Sequence, residues 1–574
     1  MVTGYQPFKG VIVMDYNVLI GGSAGQGMDT LSSLFQRSLH RYGYHVFVHK
    51  DYMSRVRGGH NFIQIRFSDS PLSSHRDSLD IIVAFDETTV IEHLSRLNNH
   101  GFLLADEEIK KQSDRMITFP VKKSAKEAGN AKTFTTVFLG LLLKWFGLPL
   151  DQTEAFLLEV FHDKSPEANV NALHAGAALT EAKATLPPGD LKDHLLIDGN
   201  QAIAMGAIAA GVTFYAAYPM TPSTSIMNTL AAHQEDAGIV VEQAEDEIAA
   251  MNMAIGANYA GIRAMTGTSG GGFSLMTEAL GLAGITETPL VVANVQRPGP
   301  ATGFPTRTEQ SDLSFVLTAS HGEIPRMVTA LRNPEESFYQ TARAFNLSEK
   351  YQMPVILLSD QYLADYTQTV PVFDVSRVTI QRHLADGSMY SDDRPYQRYA
   401  FTETGLSPRL IPGKTSGQVV LADSDEHDEA GHITESAEMR INMMKKRMGK
   451  LEQLQEDLQE PWHLGDPHPK VLLVAWGSVA GPLQEAITSL KEAHPELSIG
   501  ALVFGDLWPL PTLQLTAMAD KAEKMINIEQ NFTGQLAKLI RQETGLHFTK
   551  SILKYDGRQM TPEYIVDMLK KEVL

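Results

Sequence analysis

Apolar and polar positions along the chain fall into blocks whose period switches between that of a strand and that of a helix. Asn17–Gly22 is a short apolar run that predicts a buried strand. Met28–His40 carries Leu31, Leu34, Phe35 and Leu39 on one face, the spacing of an amphipathic helix. His45–His49, Ile63–Phe67 and Asp80–Phe85 predict further strands, and Thr133–Phe146 and much of Thr153–Ala184 predict helices. Leu186-Pro187-Pro188-Gly189-Asp190 punctuates the chain as a boundary. A second unit opens at Ile197–Asn200, continues through a helix at Gln201–Ala210 and a strand at Val212–Ala217, and alternates up to the buried run Val355–Asp360. From about Pro371 to Pro469 the pattern weakens to one charged, Met-containing helix at Glu435–Leu458, which reads as a connector without a core of its own. Val471–Trp476, Ile499–Phe504 and Lys524–Glu529 supply strands of a third unit. The fold class is therefore multidomain α/β: domains at 1–190, 195–370 and 470–574, with a connector at 371–469.

Length supports that division, since 574 residues exceed what one core holds. Hydrophobic residues at 43% and charged residues at 20% are ordinary for a globular chain. The net charge of −19 argues against nucleic acid or an anionic membrane as the main partner. The most apolar stretch, Val137–Leu143, ends at Lys144 and is far too short to span a bilayer, and Met1–Lys9 lacks a signal-peptide pattern; a cytoplasmic protein is expected. The chain has no cysteine, which excludes disulfides, iron–sulfur ligation and thiolate catalysis by its own residues.

Several turns between strand and helix carry candidate chemistry. Gly21-Gly22-Ser23-Ala24-Gly25-Gln26-Gly27 presents backbone N–H groups at a helix start, which suits either a phosphate or a packing turn. The third glycine of a dinucleotide fingerprint is replaced by Thr30, which disfavours a nicotinamide cofactor. Pro412-Gly413-Lys414-Thr415 has Pro408 where a Walker loop needs glycine. Gly267-Thr268-Ser269-Gly270-Gly271 follows a predicted strand, Ile262–Met265, and precedes a predicted helix, Phe273–Leu280, the context of a nucleophile elbow, so a Ser269 hydrolase is one reading, although no oxyanion loop accompanies it. Tyr218-Pro219-Met220-Thr221-Pro222-Ser223-Thr224, the acids Glu242, Glu245, Asp246 and Glu247, and Arg297, after a predicted strand at Leu290–Val295, all follow strands, where ligands meet a parallel sheet. A cap at Thr221 or Ser223, first-turn acids and a surface ion pair are the corresponding structural readings. Arg55, Arg57 and His60 surround Gly58-Gly59, a basic cluster suited to an anion or to solvent. The acidic, His-containing segment Asp423–His432 reads as a solvated loop in preference to a metal site.

In this order, GGSAGQG, SRVRGGHNF, YPMTPST, EQAEDEIAAMNMAIGA, TGTSGGGFSLMTE, QRPGPATGFPTRTEQSDL, DEHDEAGH and NIEQNFTGQL resemble the α subunit of 2-oxoacid:ferredoxin oxidoreductases with a γ-type domain fused at the N-terminus. The resemblance covers nearly the whole chain and is nearest to the 2-oxoglutarate enzymes. It implies a γ-type domain, a thiamine-diphosphate pyrimidine-type domain and a transketolase C-terminal-like domain. It also implies CoA-dependent oxidative decarboxylation of a 2-oxoacid with reduction of ferredoxin, and the reverse reductive carboxylation. On this resemblance Glu245 would bond the aminopyrimidine of thiamine diphosphate, with Ser269 and Gly270 beside that cofactor. Thr221 and Arg297 would hold the keto and carboxylate end of the substrate, and Arg57 or His60 a distal carboxylate. Gly22, Ser23, Gly25, Gln26 and Gly27 would contact CoA phosphates. No metal ligand is expected on this chain. A β subunit would bring Mg²⁺, the diphosphate site and a [4Fe-4S] cluster, in a dimer of αβ units. Pyruvate or branched-chain acids as substrates, and a non-catalytic scaffold subunit, are the other readings. Where the family more often has SGPG, this chain has SGGG, which leaves the role of Gly271 open.

Overall fold

A computed structural model describes residues 14–53, 59–110, 112–391 and 393–574. They divide into two compact units, Met1–Ile197 with Tyr366–Val372, and Asp198–Asp365 with Phe373–Leu574. Arg57 lies outside the described residues.

The first unit is built on β1 (Asp15–Ser23), β2 (His45–Asp51), β3 (His60–Ser68), β4 (Leu79–Ala84), β5 (Leu97–Asp106), β6 (Met116–Phe119) and β7 (His194–Asp198). A further strand, Thr367–Pro371, enters between β2 and β7 and completes an eight-stranded sheet. The β1, β4, β5 and β6 strands run parallel, whereas β3 is antiparallel to both β1 and β2. Val18, Leu19 and Ile20 are fully buried on alternating faces, as a central strand covered on both sides requires. The helix Met28–Arg41 lays Leu31, Leu34, Phe35 and Leu39 into the same core as Ile63, Phe67 and Phe146.

The second unit holds two sheets. One has seven strands. β8 (Phe214–Ala217), β9 (Val240–Gln243), β10 (Ala264–Thr268), β11 (Leu290–Gln296), β12 (Met327–Ala330) and β13 (Pro354–Asp360) are parallel, and Asp506–Trp508 pairs antiparallel with β12 at the edge. The other has five strands centred on Val471–Trp476 and Ile499–Phe504. The sheets share one core, in which Val292 and Ile356 cluster with Leu472, Val474, Trp476 and Phe504. That shared core, and the strand the C-terminal region lends to the seven-stranded sheet, explain why Asp198–Asp365 and Phe373–Leu574 form one unit.

Two buried charge clusters tie the segment after β13 onto this core. Glu349 receives Arg263, Arg382 and Arg409. Glu287 receives Lys446, at 2.5 Å, and Lys450, both from the helix Ala437–Leu454. In the acidic segment Glu426 pairs with Arg440 and Arg447, and His427 is fully buried against Tyr399, with ring centroids 4.0 Å apart. Glu426 thereby anchors the helix and His427 packs into the interior, so the segment is not simply a solvated loop. Among the described residues there is no group of three or more His, Cys, Asp or Glu side chains that could hold a metal ion. Among them, too, no helix is long and apolar enough to cross a membrane.

Candidate active site

The seven-stranded sheet places β11, β10, β8 and β9 side by side, so the residues that follow these parallel strands gather at one edge. Arg297 follows β11, Ser269 follows β10, Thr221 lies just beyond β8, and Glu245 and Glu247 follow β9. Arg297 donates from one guanidinium nitrogen to the Thr221 carbonyl at 2.7 Å and lies 3.5 Å from the Met220 sulfur through another. The Thr221 side chain is exposed and Arg297 is half-buried. The structure thus brings together the two residues expected at the substrate's carboxylate end.

The acids after β9 separate into different environments. Asp246 caps the helix Glu247–Tyr259 by accepting from the Ala249 N–H at 2.8 Å. Glu242 and Glu245 are exposed. Glu247 is only 3% exposed, and its Oε1 is buried without a hydrogen-bond partner. Its burial follows from helix periodicity, because Glu247 lies on the stripe continued by Ala250, Met251, Ala254 and Ile255. A buried, unpaired carboxylate oxygen is expensive, so Glu247 is built to meet a donor that the chain itself does not supply.

The glycine run after β10 makes room for these side chains. A Cβ at Gly272 would lie 2.4 Å from Glu247 Oε1 and 2.1 Å from Thr268 Oγ1, and a Cβ at Gly270 would lie 2.5 Å from the Asp312 carboxylate. At Gly271 the nearest atom would be the Ala301 carbonyl oxygen at 3.8 Å, an ordinary contact. The departure from the commoner SGPG therefore falls at the one position of the three where a side chain fits. Asp312 accepts from Asn294 Nδ2 at 3.2 Å, and burial pushes its carboxyl up to about 6, with Asn294 and Arg297 opposing the rise. Ser269 Oγ, Asn294 Oδ1 and Tyr215 OH are also buried without partners. The Ser269 hydroxyl is fully buried and no base holds it, so it is not an activated nucleophile.

In the first unit β1 runs on through Gly21, Gly22 and Ser23, so the loop proper begins at Ala24. Ser23 N–H donates to Gln26 Oε1 at 2.8 Å, and the Ser23 hydroxyl donates to Asp86 at 3.0 Å. Gly25 and Gly27 take the left-handed backbone, φ 85° and 87°. Gly27 starts the helix Met28–Arg41 without a side-chain cap, which leaves first-turn N–H groups available for an anion. His60 pairs in register with Ser23 across β1 and β3.

Three family models match the chain. Pyruvate ferredoxin/flavodoxin oxidoreductase covers residues 17–179. The thiamine-diphosphate-binding part of pyruvate flavodoxin/ferredoxin oxidoreductase covers 205–446. Core domain II of pyruvate:ferredoxin oxidoreductase covers 470–565. The 2-oxoacid:ferredoxin oxidoreductase subunit alpha of a Sulfolobus species is 32% identical over 97% of this chain and 96% of its own length. The chain belongs to the 2-oxoacid:ferredoxin oxidoreductase α-subunit family. Within this family, the 2-oxoglutarate oxidoreductase subunit KorA of Mycobacterium tuberculosis is 30% identical over 92% of this chain and 87% of its own. The 2-oxoglutarate:ferredoxin oxidoreductase of Magnetococcus marinus, solved with 2-oxoglutarate, coenzyme A and succinyl-CoA bound, superposes with a TM-score of 0.91 at 31% identity, over 98% of this chain and all of that one. As in the family, the fold combines an N-terminal oxidoreductase domain, a thiamine-diphosphate-binding domain and a core domain II.

The resemblance placed the cofactor carboxylate at Glu245; Glu247 was named among the strand-end acids without a role of its own, and Asn294 and Asp312 were given none at the cofactor. The signal for Glu247 was present: an acid in register with an apolar stripe, one residue after a capping aspartate. Asn294 and Asp312 meet only through the sheet and carry no local signal.

Proposed function

We propose that this chain supplies the aminopyrimidine-side half of a thiamine-diphosphate site in an enzyme that converts 2-oxoglutarate and CoA to succinyl-CoA and CO₂, passing two electrons to ferredoxin. The observation that carries this reading is the buried, partnerless carboxylate of Glu247 at the strand ends of a thiamine-diphosphate-binding domain. The donor set fits the cofactor. Glu247 is placed to share a proton with the aminopyrimidine N1′, the role that resemblance alone assigned to Glu245, while Ser269 and Gly270 line the same edge. Thiamine diphosphate, when bound, supplies the electron sink for loss of CO₂. Arg297 and the Thr221 hydroxyl hold the carboxylate and keto oxygens of the acid. Arg57 or His60 serves a distal carboxylate, and the Gly22–Gly27 loop takes CoA phosphates. The 2-oxoglutarate named for the Mycobacterium and Magnetococcus relatives supports the choice of acid.

The absence of cysteine and of a GDG…N motif supports a β subunit that carries the cluster, the Mg²⁺ and the diphosphate site. We propose an assembly of two αβ units in the cytoplasm, with the α chain divided into 1–190, 195–370 and 470–574 and a connector at 371–469.

Two substitutions test the substrate sites. Arg297→Ala should raise the KM for 2-oxoglutarate about 10- to 100-fold and leave that for CoA within about threefold, the loss expected for hydrogen bonds to a charged group. Arg297→Lys should recover only part of this, since an ammonium cannot bind two oxygens in the same plane. A KM for the acid that stays unchanged in Arg297→Ala would remove Arg297 from the site. Gly25→Asp sets a carboxylate into open space in the loop, at a backbone conformation aspartate tolerates better than most residues. CoA affinity should fall about tenfold or more by charge repulsion, while the KM for the acid holds. Unchanged CoA affinity would count against the phosphate reading of the loop.

A further inference from the structure

Beside the glycine loop, two histidines and an arginine form a chain of hydrogen bonds whose proton positions follow from the donors alone. Arg96 holds its guanidinium by donating to the Asp77 carbonyl at 3.1 Å and to Gln64 Oε1 at 2.9 Å. A third nitrogen of the same group lies 3.2 Å from His93 Nδ1. Guanidinium only donates, so His93 Nδ1 accepts. The proton of a neutral His93 is then on Nε2, which lies 2.7 Å from His60 Nε2. His60 Nε2 must accept, which leaves His60 neutral with its proton on Nδ1. Burial first, then the charge of Arg96, pushes His93 down to about 3, so the chain keeps this arrangement at physiological pH. The far end of the relay, His60 Nδ1–H, is a buried donor without an acceptor. Its ring packs on the start of the loop: a Cβ at Gly21 would lie 3.2 Å from His60 Cε1, and Ser23 faces His60 across the sheet.

We propose that Arg96 and His93 are positioning residues that lock His60 as a neutral Nδ1–H donor to an oxygen of the phosphorylated co-substrate bound by the Gly22–Gly27 loop. The proposal rests on the reading of that loop as the CoA site and extends it to three residues outside the loop. A free imidazole offers its proton from either nitrogen, so the lock removes one of two orientations and presents a preformed donor. An acceptor oxygen satisfies the buried N–H, whereas an apolar ligand group leaves it unpaired.

The test uses this chain assembled with its partner subunit. CoA binding is followed by titration calorimetry, and KM is measured separately for CoA and for the 2-oxoacid. His93→Leu frees His60 to carry its proton on Nε2, and CoA should bind about tenfold more weakly with kcat changed less than about twofold. His93→Gln keeps an acceptor toward Arg96 and a donor toward His60, and should bring CoA binding back to within about threefold of wild type. Equal losses in the two variants, unchanged CoA binding in His93→Leu, or a rise confined to the KM of the 2-oxoacid overturns the proposal. His60→Leu removes the donor itself and should weaken CoA binding by about tenfold should His93→Leu fail to assemble; unchanged CoA binding there overturns the proposal. Gly25→Asp separates the two readings: weaker CoA binding there with wild-type binding in His93→Leu overturns the relay alone, and unaltered binding in Gly25→Asp overturns the loop assignment together with it.

Discussion

Glu247→Gln in the assembled enzyme should lower kcat by about 10²- to 10⁴-fold, the range expected when a group that shares a proton with a reacting centre is lost. The amide occupies the same volume, so the core stripe of Ala250, Met251 and Ala254 stays packed. It retains a carbonyl that can accept a hydrogen bond but cannot take a proton. Binding of thiamine diphosphate should therefore weaken less than turnover, and the two are measured independently by calorimetry and by single-turnover decarboxylation. Glu245→Gln should fall well short of that loss, because Glu245 is exposed beside the end of β9. A large effect at Glu245 and a small one at Glu247 would return the role to the residue that resemblance first indicated. No effect at either would favour the scaffold reading. Gly272→Ala should approach the Glu247→Gln loss, because its methyl would displace both Glu247 and Thr268.

The second large effect concerns stability. Glu287→Gln leaves the ammonium groups of Lys446 and Lys450, 2% and 0% exposed, without their common counter-charge. Removing one side of a buried ion pair destabilises by about 3–5 kcal/mol, and here two cations lose the same partner. The urea midpoint of the second unit's transition should drop accordingly. The dependence on pH has a definite sign. Burial already lowers the pKa of both lysines against the pull of Glu287, so without the glutamate each is held further below its unfolded value. A folded pKa below the unfolded one means the folded state binds fewer protons, so stability rises with pH between the two values. The loss in Glu287→Gln should thus shrink toward alkaline pH and deepen as pH falls toward neutrality, and close again in strong acid, where wild type in turn loses the charge of Glu287. A midpoint within about 1 kcal/mol of wild type at all pH values would mean that the lysines reach water. Glu287 takes a positive φ of 49° just past the helix Thr277–Ile285. Its interest is architectural, because the helix Ala437–Leu454 reaches the core through it.

The elements that local pattern specifies were legible. The helix expected at Met28–His40 is Met28–Arg41, the run Val355–Asp360 lies in β13, and the strand Leu290–Val295 continues one residue further. The helix read at Glu435–Leu458 starts at Ala437, because Ser436 caps it through the Met439 N–H, and its α-helical part stops at Leu454. The strand expected at Ile262–Met265 begins at Ala264, since Ile262 is 43% exposed and belongs to the turn before it. The single helix expected at Phe273–Leu280 is two, Gly270–Leu275 and Thr277–Ile285.

What sequence could not supply depends on distant partners. The strand Thr367–Pro371 joins the sheet of the first unit across hundreds of residues, and nothing within it marks that destination. Lys446, Lys450 and Glu426 look like a solvated face until Glu287 and Arg447 are placed against them. In the candidate site the strand ends identified Thr221 and Arg297, which do meet. Four acids, Glu242, Glu245, Asp246 and Glu247, drew attention for their place at the strand end, and burial singles out Glu247 among them. His93 was invisible because its significance lies in a tautomer set by Arg96.

The central claim is that this chain forms half of a 2-oxoacid oxidoreductase site, completed by a second subunit. It is tested most directly by isolating the chain with whatever remains bound to it and assaying CoA-dependent reduction of a viologen dye across a panel of 2-oxoacids. The account predicts activity that requires the co-purifying subunit, is absent from the isolated chain and is highest with 2-oxoglutarate. Preference for pyruvate or a branched-chain acid would contradict the assignment of Arg57 or His60 to a distal carboxylate. No activity with any 2-oxoacid, from a complex that retains thiamine diphosphate and an iron–sulfur cluster, would contradict the account as a whole.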